Sequence, residues 1–382
     1  MNTTLVLWED WMKQVSELLP SVHGHQKKTL ALFALGIVLS GCAVLQRVAE
    51  QLHLQGISET KMTSIERRLA RFVANARVNV ADTWNVFLQQ VLPFWKGKKL
   101  LFVLDATPFR EDATILYLGV LVHSRVLPVA WAVLPGQEKW EEGQWVIVER
   151  LLDRVLPYLQ EMECTLIADR GLAGEPLVRI CRARHWHYLL RISKEHTCQR
   201  QMKNKWSSWC RLDTFVHKVG QQWYGRTRVW QDKTIDAFIS ACWQDGCKEA
   251  WFLLSDQKAS KQCVVTYAKR MRVEATFQDS KSRGWKIEAS WIKEEARLDR
   301  LLLALFLALW WVSHLAASCI HHGKRNQFDR TDRRDKGIFR LGRLWLLDLL
   351  RRAAFSPFGA ASITKCLPFR RANHGWAFSL RF

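Results

Sequence analysis

Apolar residues recur at helical spacing through Leu5–Leu19, Leu30–Leu54 and Ile65–Phe72, with no alternating run between them. Residues 1–95 are therefore expected to form an all-α domain. Within it, Ser58 is positioned to cap a helix carrying Lys61, Arg67, Arg68 and Arg71. The preceding helix, Ala43–Leu54, and the break at His53–Ile57 complete a helix–turn–helix outline. A plain helical bundle with a solvated basic face has the same outline.

From Lys99 the texture changes to short apolar runs rich in branched residues. Lys99–Thr107 (KLLFVLDAT), Ile115–Val122 and Val126–Leu134 predict three strands. Gly143–Leu159 predicts a helix, Cys164–Asp169 (CTLIAD) a strand, Glu175–Arg184 a helix and Trp186–Ile192 a strand. This order is that of a ribonuclease-H-like mixed α/β sheet. No GxGxxG follows the first strand, which argues against a dinucleotide fold.

Residues 194–250 are polar, basic and Trp-rich, with short strands expected around Thr227–Trp230 and Ala237–Cys242, and read as a β-rich insertion. The catalytic core is expected over 96–193 and 251–320, resuming at Trp251–Leu254 with a long helix from about Val264 to Gly284. Leu301–Val312 is an uninterrupted apolar run of 12 residues. A membrane span needs about 20, so the run predicts a core helix. Residues 321–382 carry 14 Lys and Arg against 4 Asp and include an amphipathic helix candidate, Leu341–Ala353. This basic helical tail suits phosphate contact, with a solvated basic face as the alternative.

Composition sharpens this picture. The chain has 382 residues, 57 Lys and Arg, 36 Asp and Glu, and a formal net charge of +21. Such a surplus on a folded chain points to a polyanionic partner, with nucleic acid first and an anionic membrane as an alternative. With 48% hydrophobic residues and 20 Trp, the sequence is not a disordered one. Ten Cys without a CxxC pair give neither a disulfide framework nor a zinc site. Glu9 and Asp10 stand where a signal peptide needs Lys or Arg, so a reduced cytoplasmic protein is expected.

Three acidic residues stand out by position. Asp105 closes the first apolar strand and Asp169 closes CTLIAD, where a buried charge is costly unless it has a task. Either could instead cap the turn that follows. The third is Glu274. Tyr267, Arg270, Glu274 and Lys281 lie at offsets 0, 3, 7 and 14. On a continuous helix they share an arc of about 60°. Such a stripe reads as a functional face, and an exposed Arg270–Glu274 salt-bridged face is the alternative. Three carboxylates are a donor set for hard divalent cations such as Mg²⁺. Two such ions can activate a nucleophile and stabilise the leaving oxygen at a phosphodiester.

Tyr267-x2-Arg270-x3-Glu274-x6-Lys281, preceded by Asp105-Ala-Thr107 and Asp169-Arg170-Gly171, resembles the signature of bacterial DDE transposases of the insertion-sequence-four family over roughly residues 99–320. The resemblance implies cut-and-paste DNA transposition. Asp105, Asp169 and Glu274 would bind two Mg²⁺ ions, for which Mn²⁺ substitutes. Tyr267, Arg270 and Lys281 would contact phosphates of the transposon end, and Trp251 would stack a flipped base. An ordinary core or edge Trp is the alternative for Trp251. The expected partners are double-stranded DNA, as terminal inverted repeats and target, and a second copy of the chain on paired ends. Lys61, Arg67, Arg68 and Arg71 are the candidate end-binding residues of the N-terminal domain. A DNA-binding protein that has lost catalysis, or a ribonuclease-H-like nuclease that cuts without joining, would share these motifs.

Overall fold

The computed structural model describes residues 3–122, 124–136, 140–281 and 284–351. The basic tail is thus seen as far as Arg351, and the rest of it lies outside the described residues.

Five helices open the chain: α1 (Thr3–Leu18), α2 (Gly24–Ser40), α3 (Leu45–Leu54), α4 (Met62–Ala74) and α5 (Val80–Val91). The long apolar stretch Leu30–Leu54 is two helices rather than one. Gly41 ends α2 in the left-handed conformation, φ +64°, its N–H returning to Ile37 O, which is the usual way a glycine stops a helix. Ser58 is not the cap expected of it: it bonds Thr60 Oγ1, and Lys61 occupies the N-cap of α4 without a side-chain cap bond. Helix α4 buries Ile65, Leu69, Phe72 and Val73 and leaves Lys61, Arg67, Arg68 and Arg71 exposed.

One mixed sheet of eleven strands forms the rest of the frame. Strands β1 (Lys99–Phe109), β2 (Ala113–Val122) and β3 (Arg125–Pro135) form an antiparallel meander. After α6 (Gln144–Val155), β4 (Glu163–Ala168) pairs parallel with β1; after α7 (Glu175–Ala183), β5 (His187–Ile192) pairs parallel with β4. The spatial order β3-β2-β1-β4-β5 continues through β11 (Trp251–Ser255), β10 (Ile235–Cys242), β9 (Gln222–Val229) and β6 (Thr197–Met202), with β7 (Lys205–Trp206) and β8 (Cys210–Arg211) paired to β6. The segment 194–250 therefore adds its strands to the common sheet beyond β11.

Helix α10 (Glu295–His321) is the apolar run read as a core helix. Among the described residues it is the one helix long and apolar enough to cross a membrane, and its apolar window is entirely buried. It packs against β3, α2, α4, α5 and α11 (Ile338–Arg351). A bulge where β2 and β3 slip register, between Leu118 and Gly119, leaves Val129 unpaired. The carbonyls of Pro128 and Val129 there accept the indole N–H groups of Trp310 and Trp84, so two buried indoles are satisfied by a break in the ladder. Arg300 of α10 is buried and donates to the carbonyls of Val73 and Val78, tying the end of α4 to the core.

Candidate active site

Parallel pairing of β1 with β4 fixes the first relationship. Leu104 lies opposite Ala168, so Asp105 and Asp169 come next on neighbouring strands and, by strand alternation, project from the same face. Asp105 does not close its strand as expected. β1 runs on to Phe109, paired with β2 after β4 has ended, and Asp105 is buried in mid-strand. Asp169 follows the last residue of β4 and turns toward the Arg170 N–H. Carboxylates on adjacent strands, roughly 4.8 Å apart, repel by about 3 kcal/mol at an effective dielectric of about 20. Such a pair needs a cation.

Arg270 supplies one. Its Nη2 lies 3.0 Å from Asp105 Oδ2 and 3.1 Å from Asp169 Oδ2, and its Nη1 lies 3.8 Å from Glu274 Oε1. Burial pushes the Asp105 carboxyl above its ordinary range, opposed by Arg270 and the Ala106 N–H and reinforced by Asp169. For Arg270 burial works against the charge, yet Asp105 and Asp169 hold its pKa above the ordinary value.

The helix expected from Val264 to Gly284 is interrupted at this point. It is α8 (Lys261–Ala268), a 3₁₀ turn over Lys269–Met271, and α9 (Arg272–Ser280), so Arg270 sits in the tightened turn. The four signature residues consequently do not form one exposed stripe. Tyr267 is fully buried and Arg270 nearly so, Glu274 is 52% exposed, and Lys281 stands just beyond α9. The Lys281 ammonium donates to Thr107 Oγ1 at 3.0 Å and to the Pro108 carbonyl, with Glu288 3.8 Å away. Burial lowers its pKa and Glu288 opposes that.

Trp251 and Tyr267 meet edge to face, ring centroids 5.2 Å apart, within a buried cluster containing Ile167, Leu189 and Leu253. Burial pushes the Tyr267 phenol well up, and Asp169 adds to the shift. Its Oη and the Nε of Arg270 are buried without a hydrogen-bond partner, while the positive charges of Arg270 and Arg191 act against the rise of the phenol. Arg191 is a site residue the sequence reading missed. It projects from the carboxyl end of β5, its guanidinium 5.8 Å from the Trp251 ring centre, and shares Glu249 with Arg170 at 2.6 and 3.0 Å. The available signal was alternation: His187, Leu189 and Arg191 fall on one face of β5, whose parallel neighbour β4 runs directly into Asp169.

Lys61, Arg67, Arg68 and Arg71 are not part of this cluster. They line the exposed face of α4, and none of them forms an ion pair among the described residues.

Among the described residues no three His, Cys, Asp or Glu side chains stand close enough together to hold a metal ion as they are arranged. The donor set nonetheless has the chemistry of a hard-cation site: three carboxylates and no sulfur or imidazole, converging on one positive centre. The cation at that centre is the Arg270 guanidinium.

The family described as Transposase DDE domain matches residues 96–311, more than half of the chain and all of the strands and helices that carry this cluster. No curated protein matches the chain. On the extent of that match, the chain belongs to the transposase DDE domain family.

Proposed function

We propose that this transposase carries out metal-dependent cut-and-paste transposition, cleaving DNA at the terminal inverted repeats of its element and joining the freed ends to target DNA. The observation that carries the reading is the convergence of Asp105, Asp169 and Glu274 on a single cationic centre. Transposase DDE domains generally use divalent metal ions, and these three carboxylates would hold two Mg²⁺, or Mn²⁺ in their stead. Bound there, the ions would supply a polarised water or 3′-hydroxyl and stabilisation of the leaving oxygen. The sheet order β3-β2-β1-β4-β5, with the acidic residues on adjacent parallel strands, supports a ribonuclease-H-like core interrupted by the 194–250 insertion. The cluster and its signature spacing support the insertion-sequence-four assignment.

The chain's own residues orient the substrate. Tyr267 Oη and Arg270 Nε, buried and unpartnered, are donors suited to phosphate oxygens of the transposon end, as is the Lys281 ammonium beside Thr107. Trp251, against Tyr267 and Arg191, is the candidate surface for an unpaired base once the neighbouring rings part. The exposed basic face of α4 holds end DNA through Lys61, Arg67, Arg68 and Arg71. A homodimer on paired ends, acting at the nucleoid in a bacterial cytoplasm, completes the reading.

The test is incubation of the full chain with Mg²⁺ and labelled DNA carrying the element's ends. Cut ends followed by joined products support transposition. Cutting without joining indicates a nuclease, and a shifted but uncut DNA indicates a binding protein.

A further inference from the structure

The cluster that would receive metal is already filled by a side chain of the same protein. Arg270 reaches Asp105, Asp169 and Glu274 from one guanidinium, and its carboxylate contacts fall at 3.0, 3.1 and 3.8 Å. One positive charge balances only one of three carboxylates, so the pairing is incomplete. The longest of these contacts is to Glu274, whose side chain is half exposed. A permanent structural ion pair would have its remaining polar atom satisfied, whereas Arg270 Nε is buried with no partner. Arg270 also lies in the 3₁₀ turn joining α8 to α9, and a tightened turn inside a helical segment is a recurrent hinge.

We propose that Arg270 is the resident counter-ion of the carboxylate cluster in the metal-free protein, and that a divalent cation binds by displacing its guanidinium. The proposal rests on the metal-site reading above. It explains how two carboxylates on adjacent strands are held side by side before DNA and metal arrive. It also gives Arg270 two successive partners: the cluster first, and the phosphate of a bound strand once released.

Mn²⁺ binding to the full chain without DNA, followed by the paramagnetic resonance of the free ion, tests this directly. Wild type, Arg270→Gln, Arg270→Lys and Asp169→Asn are compared, with thermal melting of each in the presence and absence of Mn²⁺. Removing the competitor should tighten Mn²⁺ binding about tenfold in Arg270→Gln, because the wild-type site is open only a fraction of the time. Arg270→Lys, still charged but unable to reach three carboxylates as a fork, should fall between. Arg270→Gln should melt lower than wild type without metal and gain more on adding it. Equal or weaker binding by both Arg270 variants, with Asp169→Asn abolishing binding, would overturn the counter-ion proposal and leave the metal site standing. No binding by any form would remove both.

Discussion

Lys281 donates a hydrogen bond to Thr107 across 3.0 Å, joining the last residue of the helical signature to the strand that carries Asp105. The same ammonium reaches the Pro108 carbonyl, and Glu288 lies beyond it. Because Lys281 follows the end of α9, this contact fixes the helix, and with it Glu274, against β1. Lys281→Met should lower unfolding free energy by about 1–2 kcal/mol, the scale of a charge-assisted hydrogen bond to a partly buried donor. Urea denaturation of variant and wild type measures it, and an unchanged midpoint would show that the contact does not brace the site.

Gly41 stops α2 with a positive φ, and a Cβ there would fall 2.6 Å from Arg343 Cζ. Arg343 cannot simply move, since it donates to the carbonyls of Val38 and Leu39 at the end of α2. Gly41→Ala is expected to cost about 1–2 kcal/mol from the left-handed backbone alone, with the clash in addition. In an Arg343→Ala background the same substitution should cost less. Strict additivity in that double-mutant cycle would argue against the clash.

Burial raises the pKa of Asp299, which accepts the Trp131 indole N–H and is opposed by Arg154 and Arg300. A folded-state pKa above the unfolded one means that the folded state holds the proton more tightly. This contribution is therefore complete below the ordinary value of 3.8 and is lost as pH rises through the raised folded value. Asp279, raised by burial against its Arg125 partner, acts in the same direction. Asp299→Asn keeps an acceptor for Trp131 and removes the titration. Its melting temperature should fall less steeply than that of wild type as pH rises above 3.8, and parallel profiles would rule Asp299 out as a source of the slope.

Arg67, Arg68 and Arg71 share the exposed side of α4 while Ile65, Leu69, Phe72 and Val73 hold the other side in the core. If that face meets phosphates, each lost contact should reduce the slope of log affinity against log salt by about 0.9. Replacing the three arginines by Ala should flatten the salt dependence of end binding without changing the melting temperature. An unchanged slope would move the DNA interface elsewhere.

Much of the catalytic frame was legible because its signals are local. The runs at Lys99–Thr107, Ile115–Val122, Val126–Leu134 and Cys164–Asp169 appear as β1 to β4 with ends shifted by a few residues, since branched apolar runs bounded by turns leave few alternatives. Less legible was what depends on partners distant in sequence. Asp105 looked terminal because the apolar run ends there, yet β2 extends the pairing to Phe109. The stripe from Tyr267 to Lys281 assumed continuous helical geometry, and the 3₁₀ turn at Lys269–Met271 breaks that phase. Tyr267 and Arg270 were expected on one functional helix face with Glu274 and Lys281; a sheet face carrying Ile167, Leu189 and Leu253 instead covers the tyrosine, and two carboxylates admit the arginine to the interior. Arg191 was overlooked because nothing in WHYLLRI marks it until the neighbouring strands are aligned.

Single-turnover cleavage of labelled end DNA in Mg²⁺, by wild type and by Asp105→Asn, Asp169→Asn and Glu274→Gln separately, tests the central claim most directly. Loss of one charge from a metal-binding trio removes several kcal/mol of transition-state stabilisation, so each variant should cut at least about a thousandfold more slowly while still binding the DNA. Cleavage at a near wild-type rate by any one of the three would contradict the account.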